Sequence, residues 1–159
     1  MPNMTDPMDA LVFLQQALDA GTVQMRSCDI HPDLKVLLDY PLGELRLTYA
    51  TIAGGIVQSI ALFLMVDPLA GVPCFPLGWA VIESMRGRGV ATETMVKAME
   101  ELRKGLKKKG IRKFYVEAIV ATSNVASNRL ARRLISDCPT TGTDAISSEP
   151  IFKYLRLLE

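Results

Sequence analysis

The chain has 159 residues, 49% of them hydrophobic and 22% charged. That makeup can bury a core and excludes a disordered or low-complexity protein. Its 18 Lys and Arg against 17 Asp and Glu leave a net charge of +1, which points to no partner, and its three cysteines (Cys28, Cys74, Cys138) and single His31 form no Cys-x-x-Cys and no paired framework. A zinc site and a Cys–His nucleophile pair are therefore excluded, and a reducing, cytoplasmic compartment is expected.

The segment MDALVFLQQALDAG repeats Leu11, Leu14 and Leu18 at helical spacing. Asp6 before Pro7 offers a cap and a first-turn proline, and Gly21 offers a stop. No basic-then-apolar signal segment precedes it. TVQMRSCDIHPDLKVLLDYP reads as a short strand and then a helical turn after Pro32, with His31 structural or solvated. ELRLTYATI alternates Leu45, Leu47 and Tyr49 against Arg46, Thr48 and Ala50, a half-buried strand. AGG is a hairpin turn, GIVQSIALFLMV a largely buried strand too short to span a bilayer, and DPLAGVP a loop. CFPLGWAVIE is a third strand. Residues 89–109 form a helix with Met95, Met99, Leu102 and Leu106 on one face. KFYVEAIVA is a strand, NVASNRLARRLI a helix and IFKYLRLL a last strand, with a further short strand near Thr143–Ile146. Strand 75–83, helix 89–109 and strand 113–121 make a crossover between parallel strands, and the earlier strands pair antiparallel. The expected architecture is α/β: a mixed, mostly antiparallel sheet with helices on both faces and an open edge.

Charge is unevenly spread. Residues 1–85 carry 3 basic and 9 acidic side chains, and residues 86–133 carry 13 basic and 4 acidic. A basic block between acidic flanks suits an anionic ligand at the centre, although Lys107, Lys108 and Lys109 equally suit a solvated helix face.

The stretch RGRGVATE, Arg86 to Glu93, lies where strand pattern gives way to helix pattern. The first N–H groups of a helix have no internal partner, and the dipole is positive there. Gly87 and Gly89 let the backbone turn tightly and approach a ligand, and Arg86 and Arg88 add fixed charge. The combination suits a pyrophosphate. Gly87 to Thr92 lacks the third small residue of a dinucleotide fingerprint, Lys107 to Lys109 stand where a ribose-binding acid belongs, and no G-x-x-x-x-G-K-[ST] occurs.

LGWAVIESMRGRGVATETM resembles the acyl-CoA-binding core of the GNAT N-acetyltransferase superfamily, whose [RQ]-x-x-G-x-[GA] signature is met by Arg86, Gly89 and Ala91. It is most similar to the branch of the ribosomal-protein N-terminal acetyltransferases, with Gly78, Trp79, Val81, Arg86, Gly87, Gly89, Ala91, Thr92 and Glu93 in register. YVEAIVATSNVASNRLARRLI resembles a second segment of that branch through Glu117, Ala118, Val120, Asn124 and Ser127. Together the two segments cover about residues 76–136; nothing before them matches.

The resemblance implies a single acyl-CoA N-acyltransferase domain over residues 1–159. Its central parallel strands would splay to admit the pantetheine arm of acetyl-CoA, with no metal required. Cofactor contacts would come from Val81, Arg86, Gly87, Arg88, Gly89, Val90, Ala91, Thr92 and Asn124. The reaction is direct attack of a neutral primary amine on the thioester, which needs a base, a polarised carbonyl and an acid for the leaving thiolate. Where many relatives carry a helix tyrosine as that acid, this chain has Ala131, so Ser127 is the candidate acid and Tyr115 and Tyr154 are alternatives. Glu83 and Glu117 are candidate bases, with a solvated carboxylate and a structural hydrogen bond as their respective alternatives. The acceptor is an amine of unspecified identity, a protein N-terminus or a small molecule, drawn by the acidic N-terminal half. Neither nucleic acid nor a membrane is expected as a partner, and homodimerisation is left open. A catalytically inactive acyl-CoA sensor or scaffold is the alternative.

Overall fold

The computed structural model describes residues 6–159; the opening residues, where a signal segment was sought, lie outside them. Helix α1 (Pro7–Asp19) starts as its sequence predicts: the Asp6 carboxylate accepts the Met8 N–H at 2.9 Å and Pro7 takes the first position. It ends at Gly21, whose φ of 70° lets Thr22 donate back to Ala17 O.

Eleven further elements follow: β1 (Arg26–Ser27), β2 (Leu34–Asp39), β3 (Arg46–Ala53), β4 (Ile56–Leu64), β5 (Val66–Leu69), β6 (Val72–Val81), α2 (Val90–Lys108), β7 (Phe114–Ala121), α3 (Val125–Leu134), β8 (Thr140–Thr143) and β9 (Pro150–Leu158). They build a 9-stranded sheet in the order β1-β2-β3-β4-β6-β7-β9-β8, with β5 beside β6. Every pairing is antiparallel except β6 with β7. The mixed, mostly antiparallel α/β architecture expected from the sequence is the one observed.

Helices lie on both faces. Met95, Met99, Leu102 and Leu106 of α2, with Ala131 and Ile135 from the α3 region, pack on one face against Tyr49, Phe63, Phe75, Phe114 and Tyr154. Leu11 and Leu14 of α1 pack on the other, against Ala50, Ile60, Leu62 and Ala80. This corrects the half-buried reading of β3: both Tyr49 and Ala50 are buried, because α1 covers the face that alternation would give to solvent.

Three local expectations also change. The segment after Pro32 is strand β2, not a helical turn; Leu34 and Val36 point into the core and the strand pairs with β3 along its length. DPLAGVP is not a loop but most of the β5–β6 hairpin, turning at Ala70 and Gly71 with φ of 51° and 76°. The short late strand is Thr140–Thr143, ahead of the expected position, because Asp144 folds 144–147 into a turn by accepting the Ile146 and Ser147 N–H groups.

His31 is structural. Residues 29–33 are latched along α2 by His31–Glu100 (2.7 Å), Lys97–Asp33 (2.6 Å) and Lys108–Asp29 (3.0 Å). The nearly buried Glu101 carboxylate accepts the backbone N–H groups of Ile30 and His31. Among the described residues no helix is long and apolar enough to cross a membrane.

Candidate functional site

β6 and β7 pair only at Cys74↔Tyr115, Phe75↔Val116 and Pro76↔Glu117. Beyond that point each keeps its outer partner: β6 stays with β4 as far as Val81↔Ser59, and β7 stays with β9 as far as Ala121↔Ile151. The two central strands therefore part, and a gap opens through the middle of the sheet towards their C-terminal ends.

The backbone facing this gap has no strand partner there. Ile82 donates its N–H to Gln58 O, and the Ala80 carbonyl accepts the Ser59 hydroxyl, so both turn towards β4. Val81, between them, turns its N–H and C=O the other way, into the gap. Its carbonyl meets the Arg86 Nε at 3.4 Å.

At the mouth of the gap the chain makes a short turn (Glu83–Met85), passes through the exposed loop Arg86 to Gly89, and enters α2. Gly87 and Gly89 have φ of 74° and 76°, the left-handed region that disfavours any side chain. Gly89 is the N-cap, and no side chain caps the helix. The N–H groups of Val90, Ala91 and Thr92 thus have no intrahelical partner and stand at the positive end of a 19-residue helix, with Arg86 and Arg88 exposed beside them.

The other wall of the mouth is the β7–α3 junction. Asn124 caps α3, its Oδ1 accepting the Ser127 N–H at 3.1 Å, which leaves its NH₂ group available to a ligand. The Ser127 hydroxyl is half-buried and takes no protein partner among the described residues. Asn128, one residue on, was not singled out from the sequence, yet it ties this corner together. Its Nδ2 donates to Ala121 O at 2.9 Å and Asn124 O at 2.8 Å, and its Oδ1 accepts the Tyr154 hydroxyl at 2.6 Å. Nothing in the local pattern marks Asn128, because two of its three partners, Ala121 and Tyr154, come from β7 and β9.

The alternative acids separate. Tyr154 is fully buried with its proton committed to Asn128, so it is no acid for a leaving group in the gap. Tyr115 lies at the closed end, level with Cys74, whose thiol is pushed up by burial and then by the nearby Glu117 carboxylate. Ala131 lies on the buried face of α3 and is fully buried.

The two carboxylates differ as well. Glu83 is exposed beside the loop and forms no ion pair among the described residues. Glu117 is 7% exposed and sits at the last paired position before the strands part. Its side chain points to the face opposite α2 and α3, where Lys153 of β9 approaches to 3.6 Å. Lys153 is a partner the sequence did not reveal.

A sheet parted at one parallel pair, with an uncapped glycine-led helix at the opening, is the fold of the GNAT acetyltransferases. An acetyltransferase of this superfamily from Streptococcus pneumoniae matches over 99% of this chain and 98% of its own, at 14% identity and a TM-score of 0.56. The Salmonella typhimurium acetyltransferase that modifies the N-terminal serine of 50S ribosomal subunit protein L7/L12 matches over 72% of this chain at 18% identity and a TM-score of 0.50. A structure of RimL, the ribosomal L7/L12 α-N-protein acetyltransferase, in complex with coenzyme A matches over 71% at 18% identity and a TM-score of 0.50. The chain spans 64% and 62% of the length of these last two. No protein-family model matches the sequence, and no curated protein matches it.

Proposed function

We propose that the protein is an N-acetyltransferase that moves the acetyl group of acetyl-CoA to a primary amine by direct attack. The observation that carries this reading is the parting of β6 from β7 after Pro76 and Glu117, at whose mouth the uncapped start of α2 stands behind two left-handed glycines. The pyrophosphate of the co-substrate rests on the N–H groups of Val90, Ala91 and Thr92, with Arg86 and Arg88 opposing its charge. The pantetheine arm lies in the gap, its amides exchanging hydrogen bonds with Val81 and with the free NH₂ of Asn124.

The acceptor nitrogen attacks the thioester carbon, and its lone pair becomes the new C–N bond. Negative charge builds on the carbonyl oxygen, where backbone N–H groups of the gap stabilise it. The C–S bond then breaks, the sulfur takes the electron pair, and Ser127 passes it a proton while taking one from water, which recovers a proton from the amine-derived acid. Glu83, at the mouth, takes the amine proton directly or through water. Glu117 is the competing base: it lies nearer the closed end of the gap, with Lys153 at 3.6 Å.

A second reading is a non-catalytic acyl-CoA sensor. It is favoured by the buried Ala131, by Tyr154 being committed to Asn128, and by the lack of a partner for exposed Glu83 among the described residues. Thiol release from acetyl-CoA, followed across a library of primary amines, tests the proposal. Steady turnover with acetylated product by mass spectrometry supports the enzyme. Tight CoA binding with no turnover on any amine supports the sensor, and absence of CoA binding removes both.

A further inference from the structure

Between Arg103 and Lys113, seven of eleven residues are Lys or Arg. Lys108 is paired with Asp29; among the described residues the other six make no ion pair. Lysines in a last helical turn are the ordinary complement to the negative end of the helix dipole, which accounts for Lys107 and Lys108. It does not account for Arg103, in the body of α2, or for Arg112 and Lys113, beyond its end. At 1.5 Å per residue along the 19-residue α2, Arg103 stands about 21 Å and the C-terminal end of the helix about 28 Å from the glycine loop. Screening over roughly 8–10 Å separates the two basic regions electrostatically, so this one needs its own explanation.

The surface here is concave. A cleft of about 780 Å³ is lined by Arg103, Lys107, Arg112 and Lys113 around the aliphatic Pro73 and Ile111. A second, of about 340 Å³, adjoins it and sets Lys104 beside Ile30. Arg103 and Lys107, one helical turn apart, line both, so the two clefts flank the same pair of cations on the C-terminal half of α2. Both clefts mix unpaired cations with aliphatic side chains, and no aromatic ring lines either. Glu100 and Glu159 also stand on the lining.

That pattern selects among anions. A sugar–phosphate backbone has nothing to place against Pro73, Ile111 or Ile30. Without aromatic rings the clefts also offer bases no stacking platform. A compact single anion would engage only one of the two clefts and leave the aliphatic lining of both unused. Carboxylates set apart by aliphatic side chains match both the cations and the apolar floor. We propose that the basic surface formed by the C-terminal half of α2 and the chain leading into β7 docks an acidic polypeptide segment in which Asp and Glu are interspersed with aliphatic residues. The proposal stands apart from acetyl transfer and does not depend on it.

The probe is a short fluorescein-labelled peptide of repeated Glu-Leu-Asp, titrated with the full chain and followed by anisotropy. Companion titrations use the same peptide with Ser for Leu, and a short RNA duplex. Binding of the Glu-Leu-Asp peptide should weaken with added salt and exceed that of both companions. The double variant Arg112→Glu/Lys113→Glu changes two exposed residues outside α2 and should lower peptide affinity about tenfold or more. Its CoA affinity and melting temperature should stay those of the wild type. No binding of the peptide, equal binding of the Ser-for-Leu peptide, tighter binding of the RNA duplex, or unchanged affinity in the double variant each overturns the proposal.

Discussion

Replacing Gly89 with alanine separates what the glycine does for the fold from what it does for a ligand. Gly89 holds φ 76° and ψ 7° as the N-cap of α2. An alanine forced into that left-handed conformation costs roughly 1–2 kcal/mol. No heavy atom lies within 4 Å of an ideal Cβ there, so no clash adds to the strain. For a chain of this size each 1 kcal/mol lowers the melting temperature by about 2–4 °C. Gly71, in the β5–β6 turn at the opposite end of β6, supplies the matched control, with the same φ of 76° and equally open surroundings. Gly71→Ala and Gly89→Ala should therefore melt lower by similar amounts. Only Gly89→Ala places a methyl group where a pyrophosphate must approach the first N–H groups of α2. Loss of one charge-assisted hydrogen bond is worth about 1.5–3 kcal/mol, so CoA affinity should fall at least about tenfold. Calorimetric titration of CoA into both variants, beside their thermal melts, reads the two effects separately. If Gly89→Ala melts lower yet binds CoA as tightly as Gly71→Ala does, the loop is not the phosphate site.

Arg88→Ala should weaken CoA binding and flatten its dependence on salt, since a screened charge has been removed; equal slopes in variant and wild type would show Arg88 to be merely solvated. Ser127 gives its N–H, not its side chain, to the α3 cap, so Ser127→Ala should leave melting temperature and CoA affinity nearly unchanged. Turnover should nevertheless drop by about tenfold to a hundredfold, at or below the lower end for acid–base assistance because a thiolate leaves readily; intact turnover sinks the acid role. Tyr154→Phe leaves the buried Asn128 Oδ1 without its donor and should cost about 1–3 kcal/mol by denaturant unfolding, and a neutral result would mean that α3 is held by packing alone. The Lys97 ammonium bonded to Asp33 holds its carboxyl below the ordinary 3.8. A depressed pKa adds stability above the unfolded value and loses it as pH falls through the folded one. Wild type should therefore lose stability more steeply than Asp33→Asn below about pH 4, and parallel acid curves would rule out that contribution.

Local chemistry decided much of this molecule from the sequence alone. Asp6, Pro7 and Gly21 bound α1 because caps and breakers act within a few residues, and paired left-handed glycines at Gly54 and Gly55 turn β3 into β4 for the same reason. The Met95–Met99–Leu102–Leu106 stripe set the buried face of α2, and RGRGVATE marked the strand-to-helix change where N–H groups come free. What depended on distant partners stayed hidden. The segment after Pro32 became a strand only because β3 lies beside it, and Tyr49 and Ala50 are both buried only because α1 and α2 cover opposite faces of the sheet. The parallel pairing of β6 with β7 was legible in the crossover through α2, but the point at Pro76 and Glu117 where it stops was not, because beyond it each strand keeps only its outer partner, β4 or β9. The Glu117–Lys153 pair and the Tyr154–Asn128 bond join residues 36 and 26 positions apart in the chain. A single sequence carries no local signature of such contacts, since neither partner's pattern depends on the other. The tertiary structure therefore decided which tyrosine is tied up in the core, which carboxylate meets a lysine across the sheet and which hydroxyl is left free.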